Sequence, residues 1–237
     1  MTEPKFPGLG VKRFLGDGII TKENEEIQKL DNGRTRKQNP RRGTLGEEHI
    51  MQLPKPMSDE DEAIVVDLLG HKILTSVDAV LINAPNGFMA LMCPDCDHIR
   101  DKFDFLCKIC AEQSDAERVH PFMLNSGGML LSPTSPTREG DECEILLRHI
   151  RKTMPKKGMD LLVSKCHAAC GAAYDKGLNF YHVLYHTFQG KHFIKNQIPD
   201  LRVAVFTQIY FAKVPQRKTY AVKAAAWWKY AERRNLF

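Results

Sequence analysis

Met159-Asp-Leu-Leu-Val-Ser-Lys-Cys-His-Ala-Ala-Cys-Gly171 is the stretch on which the reading of this chain turns. Its apolar run at 161–163 suits a strand buried on both faces, and its carboxyl end delivers thiols and an imidazole. A second stretch repeats the arrangement: Phe88-Met-Ala-Leu-Met92 is an apolar run that leads directly into Cys93-Pro-Asp-Cys96. In open α/β sheets, ligands gather beyond the carboxyl ends of strands, where the strand order reverses. Two strand ends of this kind can converge on a single ion. Thiolates and a neutral imidazole are the donors Zn2+ prefers, and three protein ligands leave one place for water.

The neighbouring sequence supplies the rest of such a sheet. Residues 63–69 read as a short buried element. Apolar runs at 79–82 and 88–92, separated by the turn-rich Asn83-Ala-Pro-Asn-Gly87, read as strand, turn, strand. Ile99, Phe103, Leu106 and Ile109 have helical spacing, so a helix is expected after Cys96. Phe122-Met-Leu124 ends in Asn125-Ser-Gly-Gly128, and residues 132–140 read as a loop. Asp141 caps an expected helix through Met154, with Ile145, Leu146, His149 and Ile150 inward. A helix over 171–189, a last strand over 201–211 and a helical tail from Ala221 follow. Strands alternating with helices point to an α/β fold, a mostly parallel central sheet flanked by helices. The expected division is a polar N-terminal arm (1–61), an α/β domain (62–212) and a basic helical tail (213–237).

At 237 residues and 43% hydrophobic, the chain is long enough to bury a sizeable core without disulfides. No apolar run approaches the roughly 20 residues of a membrane-spanning helix, so no membrane partner is expected. The opening MTEPKFPGLGVKRFLGDG has no apolar h-region, and the seven cysteines cluster rather than spread. Both features lead to the expectation of a cytoplasmic protein with reduced thiols, some of them on a metal. The formal charge of +5 is concentrated at the end, where residues 213–234 carry a net +6. A solvated helix face is the favoured reading of that tail, and nucleic-acid binding is the alternative.

Two metal readings compete. Cys93-x2-Cys96 followed by Cys107-x2-Cys110 has the look of a four-cysteine zinc ribbon, a non-catalytic module that often touches nucleic acid. The intervening segment, however, reads as a helix rather than a hairpin, and a ribbon leaves His167 and Cys170 without a role. The other reading joins Cys93-x-Asp95 to His167-x-x-Cys170-Gly171. This two-part pattern resembles the zinc signature of the beta-class carbonic anhydrases, C-x-D-x-R followed by H-x-x-C-G. The strand running into His167 and the Asn125-Ser-Gly-Gly128 turn are similar to that family as well, over about residues 75–211.

The resemblance implies that Cys93, His167 and Cys170 bind Zn2+, with Asp95 beside the fourth position. It implies hydration of CO2 to bicarbonate, or of COS or CS2, by zinc-bound hydroxide, in a homodimer. His98, His182 and His186 are candidates by type for moving the proton. The chain departs from the pattern at Asp97, which stands where the motif has arginine. Without that arginine, Asp95 can swing onto the metal and close the site, and Arg100, one helical turn on, is the candidate substitute. A degenerate family fold, with structural zinc or none, is therefore the third reading.

Overall fold

The computed structural model describes residues 57–77, 82–94, 99–111, 118–211 and 217–237, all within one compact unit, Gln52–Phe237. Helix α1 (Asp59–Gly70) starts at Ser58, whose hydroxyl accepts the Asp61 amide at 3.1 Å. Four acidic residues in its first turn complement the positive end of the helix dipole. The chain continues through β1 (Leu74–Ser76), β2 (Phe88–Met92), α2 (Ile99–Ala111), β3 (Val119–Met123), a 3-10 turn (Gly127–Leu131) and α3 (Glu142–Lys156). Then come β4 (Leu161–Ala168), the short α4 (Gly171–Tyr174), α5 (Phe180–Gln197), β5 (Arg202–Tyr210), β6 (Arg217–Val222) and α6 (Ala224–Arg234).

The six strands form one sheet in the order β1-β6-β5-β4-β2-β3. β3, β2, β4 and β5 are mutually parallel, while β6 runs antiparallel to both β5 and β1. Every residue of β2 and of β4 is buried, as expected of central parallel strands covered on both faces. From β2 the chain steps outward to β3, then returns to place β4 on the other side of β2. The sheet therefore reverses its strand order between β2 and β4. The fold is the mostly parallel α/β sheet flanked by helices that the sequence implied.

Several elements differ from expectation. Of the strand expected at 79–82, residues 79–81 lie outside the described residues, and Ile82 belongs to no strand. The helix expected over 171–189 is broken: Gly177 turns the chain at φ +66°, and Asn179 caps α5 by accepting the His182 amide. The strand near 201–211 is not the last, because β6 pairs with it before the final helix. The arm expected over 1–61 lies outside the described residues except for 57–61, which already lead into α1.

The segment expected to be a basic tail is, where described, an internal strand of the sheet, between β1 and β5, and a core helix. α6 buries Trp227, Tyr230 and Ala231 in the cluster that holds Leu68, Phe180, Phe188 and Ile209. Trp227 stacks on Phe188 and Tyr181 at centroid distances of 6.2 and 6.3 Å, and Trp228 is half-exposed. Asp67 of α1 ties the three helices together. Its carboxylate accepts from Tyr181 (3.0 Å), from Tyr230, and from Arg234 (2.7 Å). Burial pushes the Asp67 carboxyl up, but the two tyrosine hydroxyls and the Arg234 guanidinium outweigh it and hold the carboxyl below its usual range.

A depressed carboxyl contributes stability that is complete above its unfolded value, about 3.9, and is lost as pH falls through the folded value. Asp67→Asn is expected to lower unfolding stability at pH 7 by about 1–2 kcal/mol. The gap from wild type is expected to narrow as the pH falls below about 4, measured by urea unfolding across that range.

Candidate metal centre

Cys93 is the first residue beyond β2, His167 is the penultimate residue of β4, and Cys170 precedes α4. Because β2 and β4 are paired neighbours, with Leu91 opposite Ser164, their carboxyl ends lie side by side. The ligand atoms of Cys93, His167 and Cys170 all fall within 4.8 Å of one another, and all three residues are buried. Among the described residues this is the one group of three or more such side chains gathered closely enough to hold a metal ion.

The turn above them sets this approach. Leu124 donates its amide to Met92 O at 3.1 Å, which ties the end of β3 to the end of β2. Ser126 and Gly127 then take left-handed backbone conformations, with φ of 71° and 51°. A Cβ on Gly127 would stand 2.7 Å from both the Cys93 amide nitrogen and the Lys165 carbonyl oxygen. Only glycine allows this turn to rest on both of these strand ends.

The electrostatics of the cluster follow from close packing. The hydrogen bond with the Cys170 thiol brings Cys93 down to about 4; burial opposes this, and His167 and the Lys102 charge reinforce it. Cys170 moves up for the reciprocal reasons, its hydrogen bond with Cys93 and its burial. Lys102 of α2 is 1% exposed and donates to the Cys93 carbonyl at 3.2 Å. Lys165 is equally buried, 5.1 Å above the centre of the Phe105 ring, and burial, with the charge of Lys102, pushes its ammonium down to about 7.

The donor set fits a metal ion. Two sulfurs and one imidazole nitrogen are borderline-soft ligands, and bonds of about 2.0–2.3 Å place tetrahedral ligand atoms up to about 3.8 Å apart. Small side-chain rotations from the observed separations are enough. A cavity of about 50 Å³ opens onto His167 and Cys170, lined also by Ser58, Asp61, Tyr174 and Phe180. It has room for a few water-sized groups. The Asp61 carboxylate in its wall accepts the Phe180 amide at 2.7 Å, and burial pushes the carboxyl up.

The remaining sequence candidates lie elsewhere. Asp95, Cys96, Asp97 and His98 lie outside the described residues. Arg100 stands in the first turn of α2, 70% exposed, with its Nε 3.9 Å from Asp104. Cys107 and Cys110 occupy the last turns of α2. Cys110 packs among Phe88, Leu106 and Ile109, and its sulfur accepts the Arg118 amide at 3.1 Å. It is thus part of a different core cluster from the one that holds Cys93 and Cys170. Cys143 and Cys166 are buried core thiols. His182 contacts its own helix cap, Asn179, at 2.6 Å, and His186 faces Ser132 at 3.2 Å; neither lines the cavity.

Sequence reasoning did not single out Lys102, Lys165, Asp61 or Gln208. For Lys165 a signal was present, a charged residue inside an otherwise apolar parallel strand. For Lys102 it was its place one turn before Leu106 on the inward face of a helix.

The chain matches no protein-family model and no curated protein. Among the described residues, no helix is long and apolar enough to cross a membrane.

Gly127→Ala is expected to destabilise the fold by about 1–3 kcal/mol, because its Cβ meets backbone atoms rather than a side chain that can yield. Thermal unfolding and metal titration of the same variant are expected to show a lower midpoint together with weaker metal binding. A substitution at Gly158, where no atom lies within 4 Å of the added Cβ, is expected to leave metal binding unchanged.

Proposed function

We propose that this protein is a zinc-dependent lyase of the beta carbonic anhydrase type, which hydrates CO2, or the related COS or CS2. The observation that carries this reading is the buried Cys93, His167 and Cys170 group at the ends of two neighbouring parallel strands. The chemistry of that donor set favours zinc, and the order Cys93-x-Asp95 then His167-x-x-Cys170-Gly171 resembles the family's signature, with Asp97 in place of its arginine. When bound, zinc supplies acidity to a water molecule, bringing hydroxide within reach at neutral pH.

Each protein group has a distinct task in this reading. Cys93 and Cys170 provide the negative charge that holds a divalent cation in a buried place, and His167 adds a neutral donor. The Lys102 ammonium, fixed on the Cys93 carbonyl, steadies the strand end electrostatically. The small cavity beside His167 and Cys170 admits a compact uncharged substrate and excludes larger ones. By the resemblance, Asp95 would accept a hydrogen bond from the attacking water, and Arg100 would stand in for the motif arginine in holding Asp95 to that role. Its present contact with Asp104 is exposed and long, worth under about 1 kcal/mol, and so presents little obstacle to the exchange. A homodimer in the cytoplasm completes the reading.

The second reading is a metal-holding protein of the same architecture without catalysis, acting through protein or nucleic-acid interaction. It is favoured by Asp97 in place of the motif arginine and by the exposure of Arg100.

The test is metal content per chain with zinc X-ray absorption, followed by stopped-flow CO2 hydration. One zinc per chain, with a shell containing two sulfurs and an imidazole that loses a sulfur in Cys170→Ala, is expected. CO2 hydration is expected to be abolished in His167→Ala and retained in Cys107→Ala. A four-sulfur shell untouched by Cys170→Ala would overturn the assignment in favour of a ribbon site. Zinc bound as expected, with no hydration of CO2, COS or CS2, would establish the non-catalytic reading.

A further inference from the structure

Gln208 lies beside His167 on the next strand. In the parallel β4–β5 ladder, Gln208 is the register partner of His167, as Phe206 is of Lys165. Register partners in neighbouring strands point to the same face, about 4.8 Å apart along the hydrogen-bonding direction. Gln208 is only 3% exposed, on a strand flanked on its other side by β6, where its register partner is Thr219. Its carboxamide oxygen is buried and has no hydrogen-bond partner. A buried acceptor without a donor is disfavoured, so its retention calls for an explanation.

Metal binding at His167 supplies a donor. A neutral imidazole that coordinates through one ring nitrogen carries its proton on the other, and ligating histidines donate that N–H to a nearby carbonyl or carboxylate. Both ring nitrogens of His167 are shielded from solvent, so the proton-bearing one needs a protein acceptor. We propose that Gln208 is a positioning residue of the metal centre: its Oε1 accepts the N–H of the His167 ring nitrogen opposite the metal. This rests on the Cys93, His167 and Cys170 assignment and adds the element that fixes the tautomer and orientation of the ring. A neutral acceptor suits the charge balance, because two thiolates already neutralise a divalent ion.

The test compares zinc affinity, by competition with a chelating dye, in the full-length wild type, Gln208→Leu, Gln208→Met, Gln208→Glu and Thr207→Val. Thr207 is the adjacent fully buried residue of β5, the partner of Cys166 on the opposite face. Gln208→Leu and Gln208→Met are expected to weaken zinc binding by about 10–100-fold. Their melting temperatures in the metal-free state are expected to equal or exceed that of wild type, since an unpartnered acceptor is gone. Gln208→Glu is expected to keep the affinity and Thr207→Val to leave it unchanged. In the zinc-loaded wild type, long-range proton–nitrogen NMR spectra are expected to show one His167 N–H in slow exchange with water.

Wild-type affinity in both apolar variants would overturn the role of Gln208 and leave the metal centre standing. So would an equal loss in Thr207→Val, which would mark a general effect of perturbing β5. Wild-type protein that takes up no zinc would overturn the metal assignment and this proposal together.

Discussion

The pairing of β2 with β4 is the constraint on which the rest of the structure depends. Each strand ends in a short polar segment that means little alone. Their parallel alignment, with Met89, Ala90 and Leu91 opposite Leu162, Val163 and Ser164, brings the two ends level. The switch in strand order at this point leaves a crevice that no crossover helix fills. Cys93 enters it from one side, His167 and Cys170 from the other. A shift of register would carry His167 to the opposite face, because side chains alternate along a strand.

Around this pair, the molecule excludes water and restricts backbone movement. The 3-10 turn presses Gly127 against the Cys93 amide and the Lys165 carbonyl, and it stacks closely on α5, where Gly190 leaves room for the Gly128 carbonyl. Beneath α2, the buried Lys102 places positive charge near Cys93, and Lys165 is buried against Phe105. On the other face of the sheet, α1, α5 and α6 close the core through Asp67, Tyr181, Tyr230 and Arg234. This closure makes the end of the chain part of the domain. A helix that reads as basic and solvated along one face carries Trp227 and Tyr230 along the other.

Much of the fold was legible because its signals are local. The runs at 88–92 and 161–163 are apolar without alternation, which is the mark of strands covered on both faces. The periodicity of Ile99, Phe103, Leu106 and Ile109 announced α2, and the expected inward set of Ile145, Leu146, His149 and Ile150 announced α3. Ile145 is nonetheless exposed, and Cys143, Leu147 and Met154 join Leu146 and Ile150 in the buried face of that helix. β6 was less legible. Arg217-Lys-Thr-Tyr-Ala-Val222 mixes charge with apolar residues, and it becomes a strand through hydrogen-bonding partners on both sides, β5 and β1. The break between α4 and α5 depended on a positive-φ glycine and an asparagine cap, both common enough in loops and helices to pass unnoticed.

By itself, the sequence determined the kinds of residue available for chemistry and the strand ends on which they stand. Side-chain type and local periodicity are properties of the chain, so thiols and an imidazole at two strand ends were visible before any fold was in view. The choice of Cys93, His167 and Cys170 among them came from the resemblance to the beta-class carbonic anhydrase signature. The tertiary structure alone decided which of the cysteines meet. It joined Cys93 to residues more than seventy positions away while turning Cys110 into a separate core cluster. It also placed Lys102 on the Cys93 carbonyl and Gln208 beside His167. These relations depend on strand order and register, which arise from contacts distant in sequence and leave no periodic trace in it.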